Sequence, residues 1–290
     1  YDIASKLSDV IEGESIHACG WMIAPSSMGE IVPVQIQEGS WNGEHTLNSM
    51  YDGRWTTDLG VLRLNILSLM VLREIRDAYT AIEAHEGIHV EPEGLALDDE
   101  LTMAIYSEGD TTGVFQFESE GMQEWLRKLR PSSFSDLVAM EALYRPGAMD
   151  LIPSFVARKK GEEAITYPIP RMEEILGETY GIIVYQEQTM RLAEKLAGFT
   201  PEKADKLRKA FGKRNIMILE TLHDEFIDGG AKKGYNCSAL QEVWDMMDSQ
   251  YTFNKSHAVC YTWISYQMAW LKAHYPKEFY LAFLNQHLGQ

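Results

Sequence analysis

The sequence is poor in cysteine, and its cysteines are not spaced as pairs. Cys19, Cys237 and Cys260 are scattered along the chain, and no Cys-x-x-Cys occurs. This spacing argues against a disulfide framework and against a structural zinc site, whose ligands are closely spaced. We expect buried, neutral thiols in a protein of a reducing cytoplasm.

The chain also lacks a long apolar run and an excess of basic residues. Its longest apolar segment, residues 258–273, is interrupted by Ser265, Gln267 and Lys272 and falls short of the ~20 apolar residues of a membrane-spanning helix. The formal net charge of -17 argues against a protein that coats nucleic acid non-specifically. Residues 1–110 hold 20 acidic against 5 basic residues, whereas the remainder holds 23 against 21. A cationic groove in that remainder is compatible with this distribution.

Two kinds of pattern follow one another along the 290 residues. Alternation over residues 31–36 predicts strands separated by Pro-Ser-Ser and Asn-Gly turns, and the apolar residues of 61–67 predict a buried strand running into a helix near Met70. Residues 91–110 read as an acidic, loop-like connection, after which helical patterns continue almost to the end. We therefore predict an α+β fold with a mostly α-helical second part. The first residue is Tyr1 and not Met, so we expect a piece of a longer protein.

Local signals mark several helix starts. Thr200 and Pro201 supply an N-cap and a first-turn proline for a helix that continues to about residue 214. Ser256 is predicted to cap an apolar helix from His257 to about His274, and Pro276 to begin the last helix. Residues 182–184 read as a short strand that turns into a helix.

The stretch "TFNKSHAVCY", residues 252–261, is the first candidate site. A helix N-terminus exposes unpaired N–H groups and the positive end of the helix dipole, so Lys255, Ser256 and His257 placed there would converge on an anion such as a phosphate. In the alternative interpretation Asn254 and Ser256 only cap the helix, Lys255 is solvated and His257 belongs to the interior. The local pattern leaves both open.

Arg145 is the second candidate, because it stands before Pro146 and Gly147, where a helix must end. An arginine in this position can fork onto phosphate oxygens. It can equally close the preceding helix by bonding its carbonyl groups.

The third candidate is the cationic face of the helix that starts after Thr200. Lys203, Lys206, Lys209 and Lys213 share one face and Arg208 flanks the apolar side, so this face would neutralise a polyphosphate or a DNA strand, or would simply be solvated. The aromatic residues Tyr185 and Tyr251 lie near these clusters. They would stack on a base or belong to the core.

Five blocks together resemble a known family. In order and spacing they are similar to the fingers region of the bacterial replicative DNA polymerase III alpha subunit, a family C DNA polymerase found in bacteria and phages. The N-terminal segments "IHACGWMIAP" and "LGVLRLNILSL" resemble the palm of the same family less closely. The five blocks are "GVFQFESEGM", "DLVAMEALYRPGAMDLIPSFVARKKG", "ILGETYGIIVYQEQTMRLAEKLAGF", "ADKLRKAFGKR" and "TFNKSHAVCYTWISYQMAWLKAHYPKEFYLAFL".

This resemblance implies a division of the chain. Residues 1–16 would be the end of a thumb or linker, residues 17–72 the C-terminal part of a nucleotidyltransferase-like palm, and residues 73–290 the fingers domain. The parent protein would transfer nucleotides from a dNTP to a primer 3′ end, in the cytoplasm of a bacterium or phage-infected host. Its partners would be primer-template DNA and other replisome subunits, and it would not bind a membrane. The segment alone would be inactive. The nucleotide- or DNA-binding residues implied are Arg63, Arg145, Tyr185, Arg208, Lys209, Lys213, Lys255, Ser256 and His257.

Asn65 departs from the family pattern. The resemblance implies Mg²⁺ held by three palm aspartates, and the third of these positions aligns with Asn65, which we take as the catalytic and metal position in this chain. An asparagine ligates through its carbonyl oxygen but brings no charge, so both Mg²⁺ affinity and rate should be lower. The main alternative is therefore a catalytically inactive, polymerase-like protein that binds nucleic acid or replisome partners. A helical scaffold with ordinary surface cations is the third hypothesis.

Overall fold

A computed structural model of the chain describes residues 16–17, 19–38 and 45–288. These residues form two compact units, which divide between Met70 and Val71. The palm–fingers boundary between residues 72 and 73, which the family resemblance implies, stays a prediction.

Strands and short helices make up the described part of the first unit. These elements are β1 (Gly20–Ile23), α1 (Met28–Ile31), β2 (Val34–Glu38), β3 (His45–Ser49), α2 (Gly53–Asp58) and β4 (Leu62–Asn65). The strands form two small antiparallel sheets: β1 pairs with β4, with Gly20 opposite Asn65 and Ile23 opposite Leu62, and β2 pairs with β3. Helix α1 connects β1 to β2, and α2 connects β3 to β4.

Two sequence predictions for this unit are corrected. The strand expected over residues 31–36 begins at Val34, because Ile31 ends α1, and the predicted Asn42-Gly43 turn lies outside the described residues. The strand near residue 62 forms, but it is not buried: Val61 is buried, whereas Leu62 and Leu64 are exposed. Within the described part of this unit, β4 has only β1 as a neighbouring strand. Its apolar side chains therefore remain largely accessible to solvent.

The second unit is helical. Its elements are α3 (Met70–Glu86), α4 (Glu100–Ser107), α5 (Glu120–Leu129), α6 (Phe134–Leu143), α7 (Ile152–Lys159), α8 (Glu173–Leu176), α9 (Gln186–Leu192), a π-turn (Ala193–Ala197), α10 (Pro201–Lys213), α11 (Ile216–Lys232), α12 (Cys237–Ser249), α13 (Lys255–His274) and α14 (Pro276–His287).

Two apolar regions hold this unit together. One cluster is centred on Leu196, Leu207, Phe226 and Leu240, which lie on the π-turn and on α10, α11 and α12 and are all fully buried. In the other region the long helix α13 packs against α4 and α6. The hydroxyl of Tyr106 on α4 lies 2.7 Å from the hydroxyl of Ser265 on α13 in this second region, so that the buried phenol is paired.

The acidic segment of residues 91–110 is not the loop that the sequence predicts, because it contains α4. Asp99 caps this helix: its carboxylate accepts from the Thr102 backbone N–H at 2.8 Å and from the Thr102 hydroxyl at 2.6 Å. Glu100 follows in the first turn. Acidic residues here stabilise a helix N-terminus. From the sequence alone, the same acidic residues indicate a loop.

Other predictions are confirmed or corrected in detail. Thr200 caps α10 through its hydroxyl, which accepts from Lys203 N–H at 3.3 Å, and Pro276 begins α14. The segment of residues 182–184 does not form a strand. Its backbone contacts to the chain before α13 are an isolated bridge between Tyr185 and Phe253 and a hydrogen bond from Ile183 N–H to the side chain of Gln250 at 3.1 Å. The expectation of buried thiols is wrong for Cys237 and Cys260, which are exposed.

Candidate anion-binding site at the start of helix α13

Asn254, and not Ser256, caps helix α13. Its backbone is extended, with φ -70° and ψ 119°, and its side-chain oxygen accepts from the His257 backbone N–H at 2.9 Å and from the Ser256 hydroxyl at 2.7 Å. The prediction is wrong because Ser256 already lies within the helix, where its hydroxyl supports the cap of the preceding turn. Ser256 and His257 are both exposed, so this side of the first turn of α13 is open to solvent.

Lys255 lies at the first position of the helix beside two carboxylates from other segments. Its ammonium donates to both carboxylate oxygens of Glu178 at 2.8 and 2.7 Å and lies 5.2 Å from the centre of the Tyr185 ring. Its backbone N–H donates to Glu187 at 2.9 Å. Lys255 is therefore paired and not simply solvated.

Arg145 follows the end of α6 and meets the same region through Phe253. Its guanidinium carbon lies 3.4 Å from the centre of the Phe253 ring, a cation–π contact. Two of its nitrogens donate to the carbonyls of Ala142 and Glu141, at 2.9 and 3.0 Å. Arg145 thus closes α6, as one of the two interpretations expected, and also stands beside the residue that precedes the α13 cap.

The Tyr185–Phe253 bridge brings these segments together. Phe253 N–H donates to the Val184 carbonyl at 2.9 Å, and Gln186 N–H donates to the Phe253 carbonyl at 2.8 Å. Helices α9 and α13 therefore begin side by side, and the first turns of both contribute to one surface.

Tyr185 cannot serve as a base-stacking platform in this structure, because only 1% of the residue is exposed. Burial raises the pKa of its phenol. Gln188, which sequence reasoning missed, fixes this position: its side-chain oxygen accepts from Val184 N–H and Tyr185 N–H, both at 2.9 Å. The signal is a glutamine three residues after a helix cap, which reaches back as in a capping box. Tyr185 is thus part of the floor beneath Lys255. Tyr251, the other aromatic candidate, is exposed.

Of the cationic residues on α10, only Arg208 reaches this surface within the described part of the chain. Its guanidinium donates to the Asp205 carboxylate at 2.7 Å. It also donates at 3.3 Å to the side chain of Gln186, a residue in the first turn of α9. Lys209 pairs with Asp205 at 2.7 Å, and bonds from Lys209 and Arg208 lower the pKa of that carboxyl. Lys213 is exposed further along the helix. One carboxylate, that of Asp205, therefore offsets part of the charge of two cations at the centre of the predicted cationic face.

Arg63 and Asn65 belong to the first unit and form a pair on β4. The Arg63 guanidinium donates to the side-chain oxygen of Asn65 at 3.0 Å, and both residues are exposed. No group of three or more His, Cys, Asp or Glu side chains suited to a metal ion occurs among the residues that the structure describes. With a guanidinium on the amide oxygen and no such group of ligands among the described residues, Arg63 and Asn65 do not fit Mg²⁺ by themselves.

Glu141, one turn before Arg145, is a buried acid with an unusual pKa. Burial raises the pKa of its carboxyl to about 7, although the nearby charge of Arg145 acts in the opposite direction. The folded state therefore holds this proton more tightly than the unfolded chain, whose value is near 4.5. Glu141 favours folding below the unfolded value, and this contribution is lost as the pH rises through about 7.

We expect Glu141→Gln to raise the free energy of unfolding at pH 8 by about 1–3 kcal/mol and to change it little at pH 4, because the amide stays neutral at both. Urea unfolding followed by circular dichroism at the two pH values measures this difference. Glu124→Gln, at an exposed position of α5, is the control and should change neither value. A loss of stability in Glu141→Gln at pH 8 would show that the ionised carboxylate is the favoured form.

Comparison with known proteins agrees with this architecture. Residues 71–234 match the family model of the bacterial DNA polymerase III alpha subunit finger domain, which is more than half of the 290 residues. The chain belongs to this family. The family assignment confirms the predicted α+β class with a mostly helical fingers domain.

Named relatives of this polymerase family match almost the whole chain. It is 41% identical, over 96% of its length, to DNA polymerase III subunit alpha of Aquifex aeolicus (strain VF5) and covers 24% of that protein. It is 39% identical over its full length to the subunit of Bacillus subtilis (strain 168), covering 26% of that protein. The subunit of Neisseria meningitidis serogroup B is 40% identical over 99% of the chain, which covers 25% of that protein. The chain thus spans about a quarter of the length of these relatives.

Among the described residues, no helix combines the length and apolar composition needed to cross a membrane.

Proposed function

We propose that this chain supplies the nucleotide-binding groups of a replicative DNA polymerase whose parent protein transfers nucleotides from dNTPs to a primer 3′ end. The observation that carries the proposal is the meeting of Arg145, Lys255 and the first turn of α13 around Phe253, within a family of polymerase fingers. The function of these groups would be electrostatic, since phosphoryl transfer needs charge compensation and positioning more than covalent help.

A separate role is proposed for each of the candidate binding residues. Lys255 and the start of α13, with Ser256 and His257 exposed on it, would bind the triphosphate, and Arg145 and Arg208 would supply further charge at the edge of the site. Lys209 and Lys213 lie further along α10 and suit the backbone of primer-template DNA. Tyr185 would support Lys255 from below.

The domain assignment belongs to this proposal. We assign residues 17–72 to the C-terminal part of the palm and residues 73–290 to the fingers, with residues 1–16 as the end of a thumb or linker. The parent would act in the bacterial cytoplasm with other replisome subunits, and the segment alone would not extend a primer. Mg²⁺ in the parent would require carboxylates beyond the described residues, with Asn65 and Arg63 at the edge of that site.

Binding of dATP by the chain tests the proposal. We expect Lys255→Ala and Arg145→Ala each to weaken binding by roughly 5- to 150-fold, which corresponds to the ~1–3 kcal/mol of a charge-assisted contact. Isothermal titration calorimetry measures the change. Lys128→Ala is the matched control, because Lys128 also lies over an aromatic ring, that of Trp125 at 4.5 Å, but away from α13.

The controls separate the proposal from a simple scaffold. A scaffold with ordinary surface cations predicts that none of the three substitutions changes dATP binding. Thermal unfolding of each variant identifies any loss that comes from the fold, which matters for Arg145 because it also closes α6.

A second candidate function, a catalytically inactive polymerase-like binding protein, is favoured by one observation. Asn65 stands where the resemblance implies an aspartate, and its side-chain oxygen is bonded to Arg63. This candidate predicts DNA and nucleotide binding without primer extension in the parent.

A further inference from the structure

Two of the groups proposed to bind phosphate, the Lys255 ammonium and the first backbone N–H of α13, are already bonded to carboxylates of the same chain. Glu187, in the first turn of α9, accepts from the Asn254 side-chain amide at 2.8 Å and from Lys255 N–H at 2.9 Å. Its carboxylate therefore occupies the N-terminus of the long helix α13, where the helix dipole and the free N–H groups favour an anion. Glu178 takes the Lys255 ammonium with both of its oxygens.

These contacts resemble the contacts of a bound phosphate. A carboxylate and a phosphate both present negatively charged oxygens to N–H donors at similar distances. Here Glu178 accepts from the ammonium, and Glu187 accepts from one backbone N–H and one side-chain amide. Neither acid comes from α13 itself: Glu178 precedes Tyr180 and Glu187 lies on α9. Both acids therefore belong to segments that lie beside the start of the helix.

The ion pair between Lys255 and Glu178 is exposed to solvent, and little free energy is needed to break it. The two side chains are 37% and 38% exposed, and ion pairs this exposed to solvent are weak. A polyanion of higher charge can therefore replace the carboxylate on Lys255 without unfolding the surroundings.

We propose that Glu178 and Glu187 are resident anions, which hold the phosphate-binding groups until the polyphosphate of a nucleotide displaces them, and which thereby lower the affinity of the site. This inference rests on the proposed function, since it concerns the same site. It assigns to both acids a specificity role: they exclude weakly charged anions and keep the donors oriented while the site is free.

Inorganic tripolyphosphate, without added metal, is the probe for this proposal. Its binding to the whole chain is measured by isothermal titration calorimetry at fixed ionic strength for Glu178→Gln, Glu187→Gln and the double variant. Each single substitution should tighten binding by roughly two- to fivefold and the double by roughly tenfold, because Glu178→Gln removes an exposed ion pair and Glu187→Gln removes a negative charge that competes with the ligand. Glu163→Gln is the matched control, because Glu163 is also ion-paired, with Arg158 at 2.7 Å, and is 37% exposed.

The outcomes separate the two proposals. If Lys255→Ala weakens tripolyphosphate binding but the glutamine variants bind as the natural chain does or more weakly, the resident-anion proposal is wrong and the site stands. If tripolyphosphate binding does not depend on Lys255, or does not occur even in the double variant, both are wrong. Glu178→Gln leaves the α13 cap intact, so it decides the matter alone if Glu187→Gln fails to fold.

Discussion

Replacing Asn65 with aspartate in the longest natural protein that contains this chain is expected to increase primer extension by on the order of 100-fold or more. An aspartate restores the charged group that the family resemblance implies, and charge at a metal-assisted reaction centre is worth several kcal/mol. The substitution is nearly isosteric at an exposed position on β4. It should therefore leave the fold unchanged and give Arg63 an ionised partner.

The measurement is extension of a labelled primer with all four dNTPs and Mg²⁺, by the natural protein and by its Asn65→Asp variant. Asn48→Asp is the matched control, since Asn48 is an asparagine in the same unit whose side-chain amide donates to the backbone carbonyl of Thr46 at 3.1 Å. Extension that appears only in the Asn65→Asp variant supports the palm alignment. If neither protein extends a primer while both bind DNA, the binding-protein hypothesis replaces the enzyme.

Gly229→Ala is expected to lower the free energy of unfolding by roughly 2–4 kcal/mol, the range of severe overpacking. Gly229 lies in α11 where that helix crosses the π-turn, and a Cβ atom at this position would lie 2.2 Å from the carbonyl oxygen of Ala197. The obstacle is backbone and not a flexible side chain. Either α11 or the π-turn must therefore shift, which disturbs the cluster around Leu196 and Phe226.

Gly212→Ala is the same glycine-to-alanine change, but we expect it to raise the free energy of unfolding. Gly212 is also inside a helix, α10, but a Cβ atom there meets nothing within 4 Å. Alanine should therefore stabilise the protein by about 0.5–1 kcal/mol through its helix propensity. Urea unfolding of both variants measures the contrast, and equal effects of the two substitutions would contradict a steric obstacle at the α11 crossing.

Much of the helical unit can be predicted from the sequence, because helix ends are local. Thr200 with Pro201, and Pro276, identify their helices from a few neighbouring residues. The helix after Asp99 escapes prediction, since the charge run suggests a solvated loop while the aspartate acts as a cap. Strand burial near Leu62 could not be predicted, because burial depends on which other strands cover the sheet.

For the candidate site too, some features can be predicted from the sequence and others cannot. Its cations can be predicted because lysine and arginine at helix ends are visible in the sequence, as with Arg145 and Lys255. Their partners cannot, because Glu178 and Glu187 lie far from Lys255 in the chain and no local pattern links them. The burial of Tyr185 is hidden for the same reason: it results from tertiary packing and from the bonds that Gln188 makes.

The bridge between Tyr185 and Phe253 has a thermodynamic consequence. It joins two distant segments by backbone hydrogen bonds, so the surface beside α13 exists only once the intervening chain has folded. An unfolded molecule offers no equivalent surface, and a ligand bound there would add its binding free energy to the fold in proportion to the logarithm of its concentration. The melting temperature of the chain would then serve as a direct gauge of occupancy at this surface.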